Sequence, residues 1–250
     1  MRVFRGFDEL PHFRCGVATI GSFDGVHSGH RILLDTVESL ARQHGGESIV
    51  LTFEPHPRIT LGCAEGLKLL TTTEEKLVLL ERAGVENVII IPFTVEFSRL
   101  TPQRFLEEYI RGKAGISYLV VGYNHHFGRD KSGDFNYLSS SGEELGLHVV
   151  QVAQHLVDKS KVSSTIIRRL IAAGDMEEAD KLLGSRYMLM GMMDCAGVVV
   201  SPDREYKLLP PAGEYDVLAD GKPAKATVDA GGRLHVDGLS GKTERVTIEF

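Results

Sequence analysis

The stretch GVATIGSFDGVHSGHRILLDTVESLARQHGG (residues 16–46) reads as a strand, a turn and a helix. Residues 16–21 are a short apolar run. Residues 30–46 place Ile32, Leu33, Val37, Leu40 and Ala41 near helical spacing and close on glycine. Between them, GSFDGVHSGH (21–30) crowds three glycines, one aspartate and two histidines into ten residues. A glycine at the end of a buried strand lets the backbone pass close to a ligand. The start of the following helix offers unpaired N–H groups and the positive end of a dipole, which favour phosphate. His27 and His30, three apart, project from one side of that turn, and imidazole donates hydrogen bonds to phosphoryl oxygens. The segment lacks the Lys-Ser/Thr of a P-loop, the spacing of a dinucleotide fingerprint and the Glu of a zinc His-Glu-x-x-His pair.

The same unit recurs outward from this stretch. SIVLTF (48–53), NVIIIPF (87–93), SYLVVG (117–122) and HVVQVA (148–153) read as further strands. TTTEEKLVLLERAG (71–84), TPQRFLEEYIRGKAG (101–115), SSSGEELG (139–146), SSTIIRRLIAAG (163–174) and DMEEADKLLG (175–184) read as helices. Thr-Pro at 101–102 sets proline at a first helical position. The strands are continuous apolar runs, as expected of strands buried on both faces of a parallel sheet. The expected fold class is α/β, a doubly wound, Rossmann-like parallel sheet over residues 1–184. Its ligand is expected beyond the carboxyl ends of the strands. From 185 to 250 helical periodicity disappears. GVVVS, LLPPAGEYDVLA, KATVDA, RLHVDG and RVTIEF are short strand-like pieces between Gly, Pro and Asp, so a small all-β, barrel-like domain is expected there.

Composition narrows the function. A formal charge of −6 argues against a general nucleic-acid or membrane-surface binder, because those carry a basic excess. Cys15, Cys63 and Cys195 are far apart and in no metal-ligand spacing, as expected of free thiols in a reducing compartment. The start, MRVFRGFDELPHF, has no apolar core of signal-peptide length, and no window has the apolar length of a membrane span. The expectation is a cytoplasmic protein. Oligomeric state is not legible.

Four stretches in order carry a family resemblance. GSFDGVHSGH resembles the histidine motif of the nucleotidyltransferase superfamily in the form seen in bacterial FAD synthetases. LTFEPHPR (51–58) resembles that family's second-strand motif, VVGYNHHFGRDKSGD (120–134) its flavin-side loop, and VSSTIIRR (162–169) its Ser-Thr-x-x-Arg helix start. The resemblance runs over residues 14–190. It implies FMN adenylylation: FMN and Mg2+-bound ATP as substrates, FAD and pyrophosphate as products, with the FMN phosphate attacking the α-phosphorus directly. It implies no protein nucleophile.

On that resemblance His27, His30, Ser164, Thr165 and Arg168 are the catalytic group. Gly21, Ser22, Phe23, Asp24, Gly29 and Ser163 bind ATP, and Asn124, Phe127, His56 and Arg58 lie on the flavin side. Ser163–Thr165 also suit a helix cap. Asp24 has three open readings: it orients the His27 turn, approaches magnesium, or simply forms a turn. His56 is either an anion ligand or part of a stiff Pro-His-Pro turn. No protein cage of carboxylates for the metal is evident. Two positions depart from the family pattern: Ile166 stands where many members carry an arginine, and His125 where phenylalanine is usual.

In typical members a riboflavin kinase barrel follows. LGSRYMLMG (183–191) and KLLPPAGEYDV (207–217) resemble parts of it. The kinase's Gly-x-Pro-Thr-Ala-Asn motif is absent between them, and the region of its acidic catalytic residue is shortened to GRLHVDGLSGKTERVTIEF. The tail is expected to keep the barrel and lack the kinase activity. Two alternatives stay open: nucleotidyl transfer to another phosphate acceptor, or an idle flavin- or nucleotide-binding regulator.

Overall fold

A computed structural model describes residues 1–123, 135–152, 162–194, 198–200, 205–237 and 244–250. The chain divides into two compact units. One holds Met1–Phe23, Gly29–Glu65 and Leu80–Lys161; the other holds Asp24–Ser28, Gly66–Leu79 and Val162–Phe250. Each unit is therefore built from separated pieces of sequence. Residues 164–183, two helices that precede the barrel strands in sequence, fall in the second unit.

The first unit is a six-stranded sheet in the order β1-β4-β3-β2-β5-β6. Its strands are β1 Arg2–Arg5, β2 Gly16–Ile20, β3 Ser48–Glu54, β4 Asn87–Pro92, β5 Ile116–Val121 and β6 His148–Gln151. Every pairing is parallel. The chain winds one way from β2 to β4 and the other way from β5 to β6. The order thus reverses between β2 and β5, whose carboxyl ends lead into Gly21 and Gly122, the place where such sheets take ligands.

Both faces are covered, which explains the continuous apolar strands. Ala18, Ile20, Leu119 and Val121 pack with Leu106, Ile110 and Leu138 on one face. Val17 and Val120 pack with Val37 and Ala41 of α1, Ser28–Gln43, on the other. Further helices are α2 Thr73–Arg82 and α3 Phe135–Glu144. The last begins four residues before the expected 139–146, because Phe135 and Leu138 join the core. The expected helix at 101–115 is a turn, Pro102–Arg104, capped by the Thr101 hydroxyl, that continues as a π-helix over Phe105–Lys113. The wider turn keeps Phe105, Leu106 and Ile110 buried while stacking Tyr109 on Phe105. Strand β1 was not expected. Three of its four residues are exposed, so it lacks the apolar signature of a central strand.

The second unit contains a closed barrel in the order β10-β11-β8-β7-β12-β9. Its strands are β7 Met188–Met193, β8 Val198–Val200, β9 Gly213–Ala219, β10 Lys222–Val228, β11 Leu234–Val236 and β12 Glu244–Glu249, and all pairings are antiparallel. Alternate residues point inward. Val217, Ala219, Ala226, Val228, Leu234, Val236, Val246 and Ile248 fill the interior. Asp220 and Gly221 link β9 to β10 with φ of 47° and 76°, and Ala219 pairs with Lys222. Two left-handed residues in a two-residue hairpin are the turn that matches strand twist. Strand β7, MLMGMM, escaped the sequence reading because methionine and glycine carry little strand signal. Helices α4, Ser164–Ala173, and α5, Met176–Leu183, contribute Ile167, Ile171, Ala179 and Leu183 to the same core as the barrel.

A buried ion pair joins Lys207, between β8 and β9, to Glu75 in the first turn of α2. Lys207 Nζ lies 2.7 Å from Glu75 Oε2, with side chains 1% and 0% exposed. The ammonium also donates to the carbonyls of Leu70 (2.6 Å) and Met188 (2.7 Å) and sits 4.4 Å from the Tyr187 ring centre. Three acceptors use all three of its protons. Burial pushes the Lys207 pKa down, and the Glu75 charge opposes that shift. Among the described residues no helix is long and apolar enough to cross a membrane.

Lys207→Met leaves Glu75 charged, buried and uncompensated, and is expected to lower the unfolding free energy by about 3–5 kcal/mol in urea denaturation. Adding Glu75→Gln is expected to recover a large part of that loss, because no charge then remains buried alone.

Candidate functional site

The sheet unit carries the flanks of the histidine stretch. Gly21 donates its N–H to the Leu51 carbonyl at 3.0 Å, and the Thr52 hydroxyl donates to the Ser22 carbonyl at 3.3 Å. Phe23 is buried at φ 48°. Its ring lies 5.0 Å from the His30 imidazole, centre to centre. Gly29, buried, and His30, half-buried, lie in the first turn of α1.

His56 caps the turn Pro57–Thr60: its Nδ1 accepts from the Arg58 N–H at 3.2 Å. In the neutral ring the proton then sits on Nε2. Arg58 is exposed and its Nε donates to the Cys63 carbonyl at 3.1 Å, closing the local loop. Asn124 and Phe127 lie outside the described residues.

The second unit contains the residues that crowd around Asp24. Oδ1 of Asp24 accepts from the Leu70 N–H (2.9 Å), the Thr71 N–H (3.0 Å) and the Thr71 hydroxyl (3.2 Å). Oδ2 accepts from Arg168 Nη2 at 2.5 Å. A carboxylate with four donors, 4% exposed, is committed to fixing its surroundings. The Asp24 carbonyl accepts from the Ser164 hydroxyl at 3.0 Å, so the turn is bonded to a helix start 140 residues later. Ser163 caps α4 by accepting from the Ile166 N–H at 3.3 Å. Thr165 and Ile166 are exposed at the same helix start.

The turn itself is backbone-strained. Gly25 has φ 87°, and a Cβ there would lie 2.7 Å from Leu70 Cδ1. Only glycine meets both conditions. Val26 follows at φ 42°, a position a β-branched residue rarely takes. Such residues cost on the order of 1–3 kcal/mol and persist where the surroundings over-determine them. The Gly25 N–H donates to Thr71 Oγ1 at 3.1 Å, and Ser28 Oγ donates to the Leu182 carbonyl at 2.9 Å.

His27 is 6% exposed. Burial lowers its pKa to about 4; the Asp24 charge works against that shift and the Arg168 charge adds to it. The imidazole is therefore neutral near pH 7. Arg168 is oriented by Asp24 rather than left as a solvated helix residue, and its buried Nε has no acceptor among the described residues.

A family model described as FAD synthetase matches residues 11–166. The chain belongs to the FAD synthetase family. Among its relatives, a bifunctional riboflavin kinase/FMN adenylyltransferase of Listeria monocytogenes is 34% identical over 176 residues, 70% of this chain and 55% of that protein. The protein of the same description from Escherichia coli is 32% identical over 194 residues, 76% of this chain and 62% of that protein. The chain thus matches less than two thirds of the length of these curated relatives. A solved structure, the macrolide-efflux protein from Streptococcus pneumoniae, superposes with a TM-score of 0.80 at 26% identity. It covers 100% of this chain and 98% of its own. In this FAD synthetase family chain the matched residues include the histidine turn, the 51–58 segment and Ser163–Thr165.

Thr71, Glu75 and Lys207 were not singled out in the sequence. Thr-Thr-Thr-Glu-Glu at 71–75 reads as a helix cap, and Thr72 does form a capping box with Glu75. That Thr71 instead serves Asp24 is visible only once residues 24 and 71 are side by side.

The depressed His27 pKa sets a pH dependence. Between pH 6.5 and about 4 the unfolded chain binds the His27 proton and the folded chain does not, so stability falls as pH falls through that window. The full effect is roughly 3 kcal/mol. Asp180, raised to about 6 by burial, works in the opposite sense: the folded chain holds its proton, so acidification stabilises. Comparing wild type with His27→Asn cancels Asp180. The stability advantage of wild type over the variant is expected to shrink as pH drops from 7 to 4 in denaturant titrations.

Proposed function

We propose that this chain is an FMN adenylyltransferase that makes FAD and pyrophosphate from FMN and Mg2+-bound ATP. The observation that carries the reading is the bonding of the histidine turn to the Ser-Thr-Arg helix start, through Asp24 to both Ser164 and Arg168. Family membership supplies the substrates.

In this reading an FMN phosphate oxygen attacks the α-phosphorus of ATP. The bond to the α–β bridging oxygen breaks, and pyrophosphate leaves with the negative charge. No protein nucleophile or proton shuttle takes part. Catalysis rests on alignment and on donors placed where charge develops. His27 and His30 donate to the triphosphate from the start of α1. His27, neutral in the free protein, is a hydrogen-bond donor that needs no protonation before ATP arrives. The bound anion then favours its charged form. Ser164, Thr165 and the Ser163-capped N-terminus of α4 receive the departing pyrophosphate, together with the open Nε of Arg168. Gly21, Ser22, Phe23 and Gly29 shape the nucleotide side. Asn124, Phe127, His56 and Arg58 belong to the flavin side. Magnesium enters as the ATP complex. Among the described residues no group of three His, Cys, Asp or Glu side chains forms a metal cluster.

The tail is proposed to lack riboflavin kinase activity, because the stretch that should hold its ATP motif reads MDCAGVVVSPDREY (193–206). Phosphoryl transfer needs a phosphate cradle, and none is encoded there.

The purified chain, given Mg-ATP and FMN, is expected to form FAD; given riboflavin instead, it is expected to form no FMN. Chromatographic separation of the flavins reads both outcomes. His27→Ala is expected to lower the FAD-forming rate by about 10²- to 10³-fold, with a smaller change in FMN binding. FMN made from riboflavin would overturn the claim about the tail. No FAD at saturating substrate would overturn the adenylyltransferase reading.

A further inference from the structure

In the second unit one continuous polar path runs from Lys207 through the Leu70–Thr71 peptide and the Thr71 hydroxyl to Asp24 and Arg168. It begins at the barrel. Lys207 has all three protons engaged, on Glu75 Oε2 and on the carbonyls of Leu70 and Met188. With no donor left for a ligand, it acts only through what it holds. Backbone bonds fasten the same place: the Leu69 N–H donates to the Tyr206 carbonyl at 2.6 Å, and the Leu208 N–H donates to the Leu69 carbonyl at 2.9 Å.

The Leu70 carbonyl held by Lys207 and the Thr71 N–H given to Asp24 belong to one peptide group. That group is planar, so fixing its oxygen fixes the direction of its N–H. An ammonium on the oxygen also polarises the group and strengthens the bond its N–H makes. The Thr71 hydroxyl then bridges two points of the turn, donating to Asp24 Oδ1 and accepting from the Gly25 N–H. Asp24 in turn holds Arg168 and, through its carbonyl, Ser164. The left-handed conformations at Gly25 and Val26 lie directly under this clamp.

We propose that Thr71 and Lys207 are positioning residues for adenylyl transfer, holding the His27 turn and Arg168 in their working geometry, and that the barrel is retained in this chain to supply that hold. The inference rests on the adenylyltransferase reading for its kinetic consequence, and on geometry alone for its structural one.

The test uses the full chain. Thr71→Val keeps the shape of the side chain and removes both hydroxyl bonds; Thr71→Ser keeps them. In the FMN-to-FAD assay, Thr71→Val is expected to lower kcat about 10- to 100-fold, with KM for ATP changing far less. Thr71→Ser is expected to restore kcat to near wild type. Lys207→Met combined with Glu75→Gln, assayed well below its unfolding transition, is expected to show the same kcat-selective loss.

A second readout needs no activity. NMR titration of the His27 ring in the ligand-free chain is expected to show a higher pKa in Thr71→Val than in wild type, with Thr71→Ser unchanged. Wild-type kcat together with an unmoved His27 titration in Thr71→Val would overturn the inference. An unchanged kcat in the Lys207→Met, Glu75→Gln double variant would overturn the role of the barrel. If wild type forms no FAD, the adenylyltransferase reading fails, while the titration still decides whether Thr71 holds the turn.

Discussion

The Asp24 carboxylate, buried and bonded by four donors, gathers two remote pieces of chain: Leu70–Thr71, through two backbone N–H groups and the Thr71 hydroxyl, and the guanidinium of Arg168. A buried carboxylate is costly unless fully satisfied. That cost makes the arrangement cooperative. Each donor is needed to keep the charge buried, and the buried charge keeps each donor in place. The turn that carries His27 inherits its conformation from this cluster, because the same Thr71 oxygen that serves Asp24 also receives the Gly25 N–H.

The electrostatics follow from the burial. An imidazole removed from water beside a guanidinium loses its proton readily, and the Asp24 charge does not compensate. A neutral His27 lies beside an Asp24–Arg168 ion pair whose charges offset one another. Arg168 is part of the same balance. Asp24 fixes its Nη2, and its buried Nε has no acceptor among the described residues.

The barrel interior is filled by alternating Val, Ala, Leu and Ile residues, so the fold stands on packing alone. The buried Lys207, between β8 and β9, bonds both the Met188 carbonyl of β7 and the Leu70–Glu75 segment. A packed apolar core needs no such partners; a buried ammonium does not tolerate loss of its acceptors.

The sequence by itself determined the alternation of buried strands and helices, the change to short strands after residue 185, and the motifs of a nucleotidyltransferase. These are local signals, set by periodicity, turn chemistry and nearest neighbours. It left out β1 and β7, whose exposed or methionine-rich residues carry no strong strand pattern, and it took the helix at 105–113 for an ordinary one. Only the tertiary structure decided which unit each piece of the histidine stretch joins, that Asp24 binds Arg168 rather than merely forming a turn, and that Thr71 and Lys207 join the same network. Those contacts link residues 24, 71, 168 and 207, and no local propensity reports a bond between groups that meet only when the chain has folded.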